Sequence, residues 1–189
     1  MQDSHSPEPH CSGPSCNGVP DTPATPTAWR DQVATATRER IRTFGWSINY
    51  ILGDADEPPF AYTVGLTAFG HPELIVFATS SGAARALLNA LGNRVRRGET
   101  LAADRPLTVE PLEPHRLRLV PVPPAHSELY LVEANSFYRS THRDPVPAVQ
   151  VVIDDADGRF PWDPDFRRCA HTRHAQPVLG APPTPPTAP

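Results

Sequence analysis

Lysine is absent from this chain: all 17 basic residues are arginine. With the abundant alanine and proline, that bias points to a GC-rich bacterial genome and carries no mechanism. Long apolar runs are missing too. None approaches the roughly 18 residues that a membrane-spanning helix needs, so no membrane partner is expected. Met1 to His10 is polar and proline-dotted, without the basic and apolar regions of a secretory signal. Cysteine is scarce, and three is an odd number that builds no disulfide framework. A cytoplasmic location is the expectation. The net charge is −4 with no basic block. Arg94, Arg96 and Arg97 fall in the last turn of a predicted helix, where they complement its dipole. Nucleic acid is therefore not an expected partner. GxSxG, P-loop, GxGxxG and HExxH motifs are all absent, which removes the usual grounds for serine hydrolysis, nucleotide hydrolysis or zincin chemistry. That leaves open whether the protein is an enzyme, and no cofactor is expected.

Proline is plentiful: of 25, six lie before Thr27 and six after Ala175. Proline removes a backbone donor and fixes φ, so a proline-rich lead over 1–27 reads as disordered. Between the ends, 189 residues allow one core of ordinary size. Thr27 caps a predicted helix from Ala28 to Thr43, its apolar side marked by Trp29, Val33, Ala36, Ile41 and Phe44. Trp46, Ile48, Tyr50 and Leu52 then alternate with polar residues, as do Phe60, Tyr62, Val64 and Leu66, which predicts an antiparallel pair of strands. The continuous run Leu74 to Ala78 suits a central strand buried on both faces. Ala84, Leu87, Leu88, Leu91 and Val95 share one face of a second helix. Short strands over Leu107–Leu112 and Arg116–Val122, a third helix over Ser127–Tyr138 and a last strand over Ala148–Ile153 complete the order. Runs of strands with helices between them argue an α+β fold, with an antiparallel or mixed sheet of about six strands packed by two to three helices.

Several segments together resemble the bacterial domain-of-unknown-function family 4262: Phe44-Gly45-Trp46, Tyr62-Thr63-Val64-Gly65-Leu66, Gly70-His71-Pro72-Glu73-Leu74, Leu87-Leu88-Asn89, Gly158-Arg159-Phe160-Pro161-Trp162-Asp163 and Gln176 to Gly180. The resemblance runs from about Trp29 to Gly180. It implies a single domain over 28–180 and a disordered tail over 181–189, and it implies no activity.

Four places have residue types that could carry chemistry. His71-Pro72-Glu73 sets a base beside a carboxylate at the entrance to the central strand, where functional groups collect on rigid scaffolds; the same three residues also make an ordinary turn. Tyr62 and Thr63 point to opposite faces of one strand, and Gly65 allows a close approach by backbone or ligand, although a tyrosine there also suits the core. Asp155 to Gly158 fails the calcium-loop pattern, which needs an acidic first position where Ile153 stands and a glutamate where Pro164 stands; it reads as a turn, followed by Trp162 packed over the sheet. Finally Cys11, Cys16, Cys169, His171 and His174 are of zinc-ligand type, but without CxxC spacing they read as incidental residues of flexible ends.

The expected function is a binding or regulatory domain taking a small molecule or protein partner near Tyr62, Thr63, His71, Glu73 and Trp162. The competing class is a hydrolase or lyase using His71 with a nearby carboxylate, Glu73 or Asp157. An interaction or immunity-type protein is the third, to be marked by an exposed apolar patch and no pocket.

Overall fold

A computed structural model describes residues 26–101, 106–167 and 176–183. Its core is one six-stranded sheet. Helix α1 (Pro26–Phe44) leads into strands β1 (Ser47–Ile51), β2 (Phe60–Val64) and β3 (Glu73–Phe77), followed by helix α2 (Ser81–Arg96). Then come β4 (Leu107–Thr108), β5 (Arg116–Pro121), the short helices α3 (Pro124–Tyr130) and α4 (Val132–Tyr138), and β6 (Ala148–Ile153). The strand order is β1-β2-β3-β6-β5-β4. All neighbours run antiparallel except β3 and β6, which are parallel. The fold is thus α+β with a mixed sheet, as the strand runs predict, and β3 lies inside it with every residue buried.

Each sheet face has its own core. On one, α2 lays Ala84, Leu87, Leu88, Leu91 and Val95 against Leu74, Val76, Leu117, Leu119 and Val151. Ser80 starts that helix by accepting the Ala83 N–H at 3.3 Å. Each fully buried leucine of the face contributes about 1.5–3 kcal/mol as an upper figure. On the other face Phe60, Tyr62, Ile75 and Phe77 meet Leu131, Ala134, Tyr138 and Leu179. A smaller cluster joins Val120, Val152 and Phe160, with Trp162 and Val178 packed on it.

Three elements differ from their sequence pattern. The predicted third helix is two seven-residue helices broken at Leu131, whose φ of −98° and ψ of 47° leave the helical region. Leu129 to Val132 are four consecutive apolar residues that no single helix face can bury. The break buries Leu131 fully and leaves Leu129 and Val132 exposed. Asn135 bridges it, donating from Nδ2 to the carbonyls of Ser127 and Leu131 at 2.8 and 3.0 Å. The strand expected over Leu107–Leu112 is only Leu107–Thr108, after which Glu110–Leu112 forms a 3-10 turn; Pro111 has no N–H to continue a ladder. Helix α1 starts at Pro26, and its apolar stripe divides: Ile41 packs on the core while Trp29 and Phe44 are 59% and 62% exposed. No helix among the described residues is long and apolar enough to cross a membrane.

Candidate functional site

The carboxylate of Glu73, at the start of β3, has no exposed surface. Thr63 Oγ1 donates to its Oε2 at 2.6 Å, and the Leu66 N–H at 3.3 Å. Its Oε1 accepts the Gly65 N–H at 2.9 Å, the Thr67 N–H at 3.2 Å, Thr67 Oγ1 at 3.0 Å and Tyr138 Oη at 3.1 Å. A buried carboxylate is tolerable only when so engaged. Glu73 thereby ties the turn after β2, where Leu66–Phe69 is a 3-10 helix, to the central strand and to α4. Burial and then the charge of Glu73 push the Tyr138 phenol well above its ordinary value.

Of the residues singled out in the sequence, Thr63 and Glu73 come together in this node. His71 does not join them: its ring Nδ1 lies 2.7 Å from the Pro72 carbonyl oxygen. Tyr62 sits on the opposite face of β2, where its hydroxyl accepts the Glu133 N–H at 3.2 Å. Burial raises its phenol above the ordinary value, against the hydrogen bonds from Asn49 and Glu133. Trp162 belongs to the third cluster, stacked on Phe160 with ring centres 5.1 Å apart. Asp157 is exposed and pairs with Arg159 at 3.5 Å. Asp155 is buried and organises the loop after β6: its Oδ1 accepts the N–H groups of Asp157 and Arg159, its Oδ2 that of Arg167. Desolvation would raise its carboxyl, but the N–H groups of Arg159, Arg167 and Asp157 outweigh it and hold the carboxyl below its ordinary value. Cys11, Cys16, Cys169, His171 and His174 lie outside the described residues. Among the described residues no group of three or more His, Cys, Asp or Glu could hold a metal ion.

A histidine–carboxylate contact that sequence spacing did not suggest lies at the start of β5. His115 Nδ1 is 3.1 Å from Asp154 Oδ1, and Asp154 also accepts the Arg116 N–H and Nε–H at 3.0 Å each. Arg116 continues to the Gly158 carbonyl and over the Phe160 ring. This group fixes the loop after β6 to β5.

A further concavity lies elsewhere, between α2, the C-terminal end of α1 and the outer strand β1. It is an open cleft of about 610 Å³. Its floor is Trp46, Ile48, Tyr50 and Ala61; Arg40 and Phe44 enter from α1, and Arg85, Asn89, Asn93 and Arg96 from α2. Trp46 is held from three sides. Its Nε1–H donates to Asn89 Oδ1 at 3.1 Å, the Arg96 guanidinium lies 5.4 Å from its ring centre, and Gly92 lies beneath it. A Cβ on Gly92 would come within 2.7 Å of the indole, so the glycine in mid-helix makes the room. Gly65 permits the neighbouring approach: its φ is +131°, and a Cβ there would stand 2.7 Å from the Gly45 oxygen. Arg96 also donates to Asn93 Oδ1 at 2.8 Å, and Tyr50 Oη to the Thr79 carbonyl at 3.0 Å. The side chains of Arg40 and Arg85 make no hydrogen bond or ion pair among the described residues.

Sequence spacing contained part of this cleft: Arg85, Asn89, Asn93 and Arg96 form a polar stripe at helical intervals beside the leucine face. The pairing with Arg40 and Phe44 was not visible, because it depends on where α1 lies. Residues 40–167 match the family model described as a domain of unknown function, DUF4262. No curated protein and no solved structure matches the chain.

Proposed function

This chain belongs to the DUF4262 domain family, and we propose that it is a ligand-binding domain whose small-molecule ligand occupies the cleft between β1 and α2. The observation that carries this is the wall of that cleft: three guanidinium groups and two carboxamides converge on one concavity, and Arg40 and Arg85 have no partner among the described residues. Its volume lies within the range of small-molecule sites, which combine an aromatic or apolar floor with a few placed polar groups. A hydrolase or lyase built on His71 would need a free carboxylate beside it. Glu73 already accepts from Thr63, Gly65, Leu66, Thr67 and Tyr138, and Asp157 pairs with Arg159. The cleft's hydroxyls, on Ser47, Tyr50 and Ser81, have no carboxylate or imidazole base among the lining residues, so binding itself is the output of this reading, which fits a regulatory role in a bacterial cytoplasm.

The test is a screen of small ring compounds, neutral and charged of both signs, against ¹⁵N-labelled protein. Saturable shifts are expected at the Trp46 indole N–H and the Asn89 and Asn93 side-chain amides. Shifts confined to the surroundings of His71, or none with any compound, would remove the cleft as the binding site.

A further inference from the structure

We infer that the ligand of this cleft is a small organic oxyanion, a carboxylate or phosphate ester attached to a planar ring; this rests on the cleft being the binding site. The first ground is charge. The chain carries 21 acidic against 17 basic residues, yet the cleft is lined by Arg40, Arg85 and Arg96 and by no aspartate or glutamate among the described residues. Three arginines outside the cleft are taken up by acidic partners: Arg94 pairs with Glu99, Arg116 with Asp154, and Arg159 with Asp157. The guanidiniums of Arg40 and Arg85 have no ion-pair partner among the described residues, and they line a cleft with no carboxylate among its lining residues. A guanidinium presents a planar fork of donors that matches carboxylate and phosphate oxygens. Several such groups on one concave wall raise the local concentration of anions.

The second ground is the division of labour among these cations. Arg96 is committed to the Trp46 ring and to Asn93 Oδ1, and so builds the wall. Arg40 and Arg85 are the groups left for an incoming anion. The third ground is the ring. Trp46 is only 5% exposed, whereas Phe44, on the same cleft, is 62% exposed. An aromatic ring left in water beside guanidinium groups offers an offset-stacking face to a planar ligand. A bare inorganic anion would use the arginines and leave that face unused.

The experiment titrates full-length protein with phenyl phosphate, benzoate, inorganic phosphate, benzyl alcohol and benzylamine, following the Trp46 indole N–H by ¹⁵N NMR. At least one of the two ring anions should bind saturably, about tenfold or more tighter than benzyl alcohol, with benzylamine weakest. Inorganic phosphate should bind more weakly than phenyl phosphate. Arg85→Gln and Arg40→Gln should each weaken the ring anion about tenfold, the weight of one charge-assisted contact, and leave the alcohol unchanged. Melting temperatures of both variants should match the parent, which separates lost contacts from lost folding. The alcohol or amine binding as well as the anions at this cleft would overturn the oxyanion assignment and leave the cleft standing as a site. Inorganic phosphate matching phenyl phosphate would overturn the ring. If no probe of any charge moves the indole signal, the binding-site proposal falls with it.

Discussion

Two polar regions flank the same stretch of chain from Gly45 to Thr67, and they are finished to different degrees. Around Glu73, the carboxylate oxygens accept two threonine hydroxyls, three backbone N–H groups and a tyrosine hydroxyl, all within one buried knot. In the cleft over Trp46, Asn89 and Arg96 hold the indole, whereas the buried Ser47 hydroxyl and, among the described residues, the outer guanidiniums of Arg40 and Arg85 have no partner. A polar cluster that satisfies itself holds the fold, because any group left over would be buried without a partner. A cluster that keeps donors at an open surface loses nothing in the free protein and gains when a ligand supplies acceptors. The contrast assigns the Glu73 knot to architecture and the cleft to binding, although His71 and Glu73 attract attention first in the sequence.

Breaking the knot should have the largest effect. Glu73→Ala leaves buried N–H and hydroxyl donors without an acceptor, and a loss of about 3–5 kcal/mol is expected in urea unfolding. A loss below 1 kcal/mol would mean that water or rearrangement replaces the carboxylate, and the knot would not be architectural. Gly92→Ala comes next, because Gly92 lies against the Trp46 indole at the floor of the cleft. The methyl group gains helix propensity of about 1 kcal/mol but collides with the indole, and overpacking costs about 1–3 kcal/mol. Net destabilisation with a displaced Trp46 indole N–H signal is expected; a stabilised protein with that signal unmoved would show that the ring has free space. Tyr138→Phe removes a single donor from Glu73 and should cost about 0.5–1.5 kcal/mol, visible as a small shift of the urea midpoint. A cost equal to that of Glu73→Ala would mean that Tyr138 dominates the knot. The smallest effect belongs to the cleft. Arg85→Gln should change stability by less than about 0.5 kcal/mol, and a larger loss would assign Arg85 to the fold.

Much of this architecture was legible in the residues. The alternation of Trp46, Ile48 and Tyr50 against Phe60, Tyr62 and Val64 specified two strands, and they pair antiparallel with Ser47 opposite Val64 and Ile51 opposite Phe60. The continuous run from Leu74 specified an interior strand, since no alternation remains when both faces are covered. Leu129 to Val132 misled, because a helical period cannot be read from four apolar residues in a row. The break at Leu131 is decided by which of them the sheet accepts. The sites were less legible. Glu73 stands two residues from His71, so the two share a side of an extended chain and look like partners. The turn at Gly65 instead brings its own N–H groups back to the carboxylate, and Tyr138 arrives from 65 residues away.

Local sequence determined what recurs at short range: the strands through alternation, α2 through its leucine face, the turns through glycine and proline, and the polar stripe from Arg85 to Arg96 through helical spacing. Only the tertiary structure decided which side chains meet across long separations. It placed Arg40 and Phe44 of α1 beside Arg85 of α2, Trp46 on Gly92, and Asp154 between His115 and Arg116. The physical reason is that periodicity records which face of an element is apolar, whereas contacts between elements depend on how those faces pack together, and no single segment contains that information.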